Sequence, residues 1–72
     1  MKKYTVTVTS SLVDEERTIN INARDPQDAH KETMFSEGFN MSYDKIQEIR
    51  NDEGVLVYGQ TGFVNALRDL QA

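Results

Sequence analysis

His30 is the one side chain in these 72 residues that ordinarily titrates near neutrality, so any acid–base chemistry would have to be built around it. Ser10, Ser11, Ser36 and Ser42 could act as nucleophiles. No spacing sets one of them beside His30, and no nucleophile-elbow pattern is present. Metal chemistry is equally poorly supplied. There is no cysteine, no His-x-x-x-His pair and no EF-hand spacing around Asp52, which leaves only carboxylates as further ligands. No glycine-rich phosphate loop precedes a helix signal. Glu32 and Glu37 read as the solvated side of a helix. His30 reads as a boundary residue on the sheet-facing side of that helix, and its loss is expected to leave function intact. The inventory points to a chain that is not an enzyme, with no catalytic residue, no metal and no cofactor.

Charge is the second chemical feature. Twelve acidic against eight basic residues give a net charge of −4. Lys2, Lys3, Arg17, Arg24, Lys31, Lys45, Arg50 and Arg68 are scattered rather than gathered on one stripe, which disfavours direct nucleic-acid binding. The acids do gather, at Asp14-Glu15-Glu16 and around Asp44, Glu48, Asp52 and Glu53. Such clusters commonly serve as solvated loops. Their sharper reading is a docking patch for a basic partner, with Asp14, Glu15, Glu16, Asp52 and Glu53 as contact residues. No apolar run approaches the roughly 20 residues of a membrane span. Met1-Lys2-Lys3-Tyr4 has a basic start without the apolar stretch of a signal peptide. A cytoplasmic location and a small independent gene product are the expectation.

The elements that must carry these residues are well marked. Tyr4, Val6 and Val8 alternate with Thr5, Thr7 and Thr9; Ile19, Ile21 and Ala23 alternate with Thr18, Asn20 and Asn22. Each run is a half-buried strand, so the sheet should be covered on one face only. Ser10 to Arg17 joins them as a loop carrying Leu12 and Val13. Asp25 is an N-cap, Pro26 suits the first helical turn, and Gly38 is the natural stop, giving a helix over Asp25–Glu37. Pro26, Ala29, His30 and Thr33 share its inner face, with Met34 beside them. Phe35 falls on the other side, either tucked under the chain after Gly38, which is favoured, or exposed for a partner.

From Phe39 to Asn51 two readings stand. Phe39, Met41 and Tyr43 alternate as in a strand, but the three-residue step from Ile46 to Ile49 needs a β-bulge. The alternative is a short helix capped by Ser42; the strand is favoured. Asn51-Asp52-Glu53-Gly54 is turn chemistry, and Val55 to Tyr58 supplies the returning strand. Gly59 and Gly62 break it. Phe63, Ala66, Leu67 and Leu70 recur at helical spacing, predicting a short C-terminal helix. The fold class is therefore α+β: one domain over residues 1–72, a four-stranded, mostly antiparallel ββαββ sheet with one helix on one face. Tyr4, Val6, Val8, Ile19, Ile21, Ala29, Met34, Ile49, Leu56 or Val57, and Leu67 are the expected core.

The runs Lys3-Tyr-Thr-Val-Thr-Val, Ile21-Asn-Ala-Arg-Asp-Pro-Gln-Asp-Ala-His-Lys-Glu32 and Lys45-Ile-Gln-Glu-Ile-Arg-Asn-Asp-Glu-Gly-Val-Leu-Val-Tyr58 resemble the small ββαββ proteins of phages and mobile elements. These include the DpnD/PcfM-like group and several small anti-CRISPR inhibitors of type I surveillance complexes. The likeness is one of layout and spans residues 3 to 58. It implies an inhibitor or adaptor that binds a host protein or complex, itself nucleic-acid-binding in some cases. Those inhibitors are more basic than this chain, so no functional residue is carried over. Phe35 and Tyr43 join the five acids as partner-binding candidates. The other reading is a homo-oligomeric accessory protein, a homodimer for instance, whose exposed strand and C-terminal helix are consumed by self-association.

Overall fold

The structure, a computed structural model, describes residues 1–60, 62 and 63. It holds β1 (Lys2–Ser10), β2 (Glu16–Ala23), α1 (Pro26–Met34), β3 (Asp44–Asn51), β4 (Leu56–Gly59) and β5 (Gly62–Phe63). The strands form one antiparallel sheet in the order β2-β1-β3-β4-β5, and α1 lies over one face against β2, β1 and β3. The protein is thus a small α+β fold with five strands rather than four among the described residues. No helix among them is long and apolar enough to cross a membrane.

The two alternations build the core as their period requires. Tyr4, Val6 and Val8 are buried in β1, an interior strand, flanked by Ala23, Ile46 and Ile49 and closed by Ala29 of α1. Val6 lies between Ile19 on one side and Ile49 on the other. Ile19 and Ile21 are only partly buried because β2 is the sheet's edge. Met34, Leu56 and Val57 are likewise intermediate rather than buried. Thr33 is fully buried, and its hydroxyl donates to the Ala29 carbonyl at 2.8 Å, so the helix supplies the partner that a buried hydroxyl needs. Thr5 and Asn20, like Lys3 and Asn22, face each other across the two strands and are exposed on the polar outer side of the sheet.

The step from Ile46 to Ile49 is resolved by a bulge. Val6 pairs Ile49, Thr7 pairs Glu48, and Val8 pairs Ile46, so Gln47 is the extra residue. Both isoleucines then face α1. A second irregularity separates Ile49↔Tyr58 from Arg50↔Leu56, and it turns Tyr58 to the helix side while Val57 still touches the core.

Four expectations are corrected. The helix ends at Met34, not Glu37, because the Ser36 N–H and hydroxyl both bond to the Thr33 carbonyl, at 3.1 and 2.8 Å, and close the last turn early. Phe35 is therefore not tucked: it is 77% exposed, and Phe39 packs on the core instead. β3 starts at Asp44 rather than Phe39. The Asn40 carbonyl accepts from Tyr43 and Asp44 N–H while its side chain accepts from Ser42, so local turns replace the ladder there. Finally, Phe63 continues no helix. Gly62 takes a φ of +98° in the left-handed region, the chain doubles back, and Phe63 pairs Tyr58 in β5. The rest of the expected C-terminal helix, Leu67 included, lies outside the described residues.

Candidate docking surface

Strand order decides which candidate residues meet. β3 runs antiparallel to β1, with Ser10 opposite Asp44 and Tyr4 opposite Asn51. The β1–β2 loop and the connection from α1 into β3 therefore share one end of the sheet. The β3–β4 turn sits at the other, six residues along β1, or about 20 Å at the rise of a strand. Asp14, Glu15 and Glu16 share their end with Phe35 and Tyr43. Asp52 and Glu53 are not part of that group.

The first end is pinned by two contacts. Ser11 N–H donates to the Tyr43 carbonyl at 2.8 Å, joining loop to connection. Arg17, at the start of β2, reaches back over the sheet. Its Nη2 donates to the Gly38 carbonyl at 2.5 Å and to Asp44 Oδ2 at 2.6 Å, and Nη1 lies 3.4 Å from Asp44 Oδ1. One guanidinium thus ties β2, the connection and β3 together, the forked geometry for which arginine is suited. Asp44 also accepts from Asn40 N–H at 2.8 Å, and its side chain is only 7% exposed. The Arg17 hydrogen bond, then the Asn40 N–H, hold the Asp44 carboxyl below the usual carboxylate range. The same pair raises Arg17, against the opposing effect of desolvation.

On this pinned frame the large apolar side chains face water. Leu12 and Val13 from the loop, and Phe35, Met41 and Tyr43 from the connection, are all exposed. Asp14 and Glu15 of the same loop and Glu16 at the start of β2 are also exposed, and among the described residues they make no ion pair. Exposed apolar residues and free charge at one end of a fold are the composition of a protein-docking surface. Leu12, Val13 and Met41 were absent from the sequence candidates. Their signal was available in the large apolar residues placed in loop positions.

The opposite end is shaped differently. Asn51 Oδ1 accepts from Glu53 and Val55 N–H, both at 2.9 Å, and Gly54 takes a φ of +82° to complete the turn. Arg50 Nη1 donates to the Gly54 carbonyl at 2.9 Å. Asp52 and Glu53 project from this tight turn, where Val55 is the exposed large apolar residue.

His30 faces aromatic rings. Tyr58 stands edge-on with centroids 4.9 Å apart, and Phe63 lies at 5.9 Å. Desolvation pushes its imidazole below the ordinary value. No three His, Asp or Glu side chains gather as metal ligands among the described residues. The chain matches no protein-family model, no curated protein and no solved structure.

Proposed function

We propose that this chain is a non-catalytic protein-binding module that meets a partner through the loop end of its sheet. The supporting observation is that the pinned loop end exposes Leu12, Val13, Phe35, Met41 and Tyr43 together with Asp14, Glu15 and Glu16, acids without an ion pair among the described residues. The apolar residues supply the area that loses water on contact, and the acids select a partner with a basic rim. The reading of that partner as a host defence protein, with this chain as its inhibitor, rests only on the resemblance of residues 3 to 58 to small phage and mobile-element proteins.

Site-specific photocrosslinking tests the surface. A benzophenone side chain at position 12 or 41 should capture one discrete protein from host cells, and the same group at position 55 should not. Capture from position 55 with none from positions 12 and 41 would overturn the assignment.

A further inference from the structure

We propose that β2 pairs antiparallel with β2 of a second copy, about a two-fold axis at Asn20, so that two sheets join into one. β2 is an edge with a single neighbour, and its outward N–H and C=O groups have no ladder partner among the described residues. Two features that normally guard such an edge are missing. Its eight residues contain no proline, and its ladder with β1 is unbroken from Lys2↔Ala23 to Thr9↔Glu16. Arg17 is its one charge on the helix-facing side, and that guanidinium is turned inward to Asp44 and Gly38.

The pleat limits the register. Facing residues must lie on the same side of the sheet, which permits a two-fold axis at Ile19, Asn20 or Ile21 but at no position between residues. With the axis at Asn20, Ile19 meets Ile21 of the second copy twice over, Thr18 meets Asn22, and Glu16 meets Arg24 at both ends. Ile19 and Ile21 are the half-buried core residues of the edge, so this pairing completes their burial. Glu16 is exposed without an ion pair among the described residues, and Arg24 is held only loosely, 3.6 Å from Asp28. An axis at Ile19 would set Arg17 against Ile21. An axis at Ile21 would set Arg17 against Asp25, at the cost of its fork on Asp44. With the axis at Asn20 each isoleucine faces an isoleucine, Glu16 faces Arg24, and Arg17, opposite Ala23, keeps its fork on Asp44. This register also points the two loop ends in opposite directions, leaving Leu12, Val13, Asp14 and Glu15 of each uncovered while Glu16 is taken up by the pairing.

The test uses the full chain alone, so its outcome is independent of any docking partner. The chain has no cysteine, which makes single replacements unambiguous. Sedimentation equilibrium should give twice the chain mass. Under mild oxidation Asn20→Cys should form a covalent dimer, because facing residues across an antiparallel pair lie within disulfide reach. Asn22→Cys alone should not, whereas Asn22→Cys mixed with Thr18→Cys should. Glu16→Arg should weaken the dimer by about tenfold, since like charges then face each other twice, and adding Arg24→Glu should restore it. These positions lie on the exposed outer face, and circular dichroism would verify that each variant keeps the native fold. A monomer at every concentration, a dimer indifferent to Glu16→Arg, or crosslinking of Asn22→Cys as readily as Asn20→Cys would overturn the proposal.

Discussion

Arg17 and Asp44 show how one polar pair can organise a small protein's loops. Asp44 titrates below the usual carboxylate value because Arg17 and the Asn40 N–H favour its charged form. A depressed carboxylate contributes stability that is present above its unfolded value, about 3.9, and lost as pH falls through its folded value. Asp44→Asn should therefore melt lower than wild type at neutral pH, with the two melting curves converging in acid. Asp28 adds to the acid loss in both proteins, because the Arg24 N–H lowers it in the same direction. A constant gap across pH would show that the charge of Asp44 is not what matters. His30 carries the opposite ionisation. Its folded value is depressed by desolvation, so its contribution is full above about 6.5 and declines as pH falls through the folded value. The groove around it holds Met34, Phe39, Met41, Ile46 and Tyr58, with Asp44 and Lys45 as its charged members, and Asp44 is already paired with Arg17. Wild type should lose melting temperature on mild acidification, and His30→Phe, which retains an aromatic ring against Tyr58 and Phe63, should lack that step. The Arg17–Asp44 pair could not be read from residue types, since the two stand 27 positions apart.

At the scale of elements, β3 is the clearest case of a local pattern that the fold completes. The Ile46–Ile49 spacing demanded a bulge, and Gln47 is the residue that the ladder with β1 leaves unpaired. Deleting Gln47 would restore a two-residue period while keeping Val6↔Ile49, Thr7↔Glu48 and Val8↔Ile46. That variant should fold cooperatively. Deleting Thr7 should not, because it turns half of β1's side chains to the wrong face. Thermal melts of the two variants would separate them; equal loss of cooperativity would mean that the bulge itself is required. Val6, fully buried between Ile19 and Ile49, should cost about 1–2.5 kcal/mol on truncation to Ala in chemical denaturation, less than a buried Leu or Ile because fewer methyl groups are lost. The strands and the helix start were legible because periodicity and the Asp25 cap are local signals, the latter confirmed by Asp25 Oδ1 accepting from Asp28 N–H at 2.7 Å. The helix end was not. Ser36 competes for the Thr33 carbonyl through its side chain, and Gly38 is a weaker stop than that bond.

For the whole molecule, strand order matters more than any motif. The two acidic loops look equivalent along the chain, yet placing β1 between β2 and β3 sends them to opposite ends of the sheet. No local pattern reports which strand is central, so the sequence supplied candidate residues without their grouping. Phe35 and Tyr43 stand among the sequence candidates although the sequence favours a tucked Phe35 and a strand at Tyr43, whereas the joining of the loop to the connection depends on the long-range Arg17 fork and the Ser11–Tyr43 bond. This separation yields a sharp test of the docking surface. A single contact patch of ordinary size cannot favour both ends equally when they lie about 20 Å apart and one carries most of the exposed apolar residues. Asp14→Lys with Glu15→Lys should weaken partner binding, chiefly through a slower on-rate, and wild-type affinity should fall as salt rises. Asp52→Lys with Glu53→Lys should bind like wild type. Both double variants should keep their melting temperature nearly unchanged, since exposed charges away from a packed or capped site shift stability by about half a kcal/mol or less. Binding rates of the three proteins to the crosslinked partner, at low and high salt, make the comparison. Equal binding by all three, independent of salt, would remove the acids from the interface and leave recognition to Leu12, Phe35, Met41 and Tyr43.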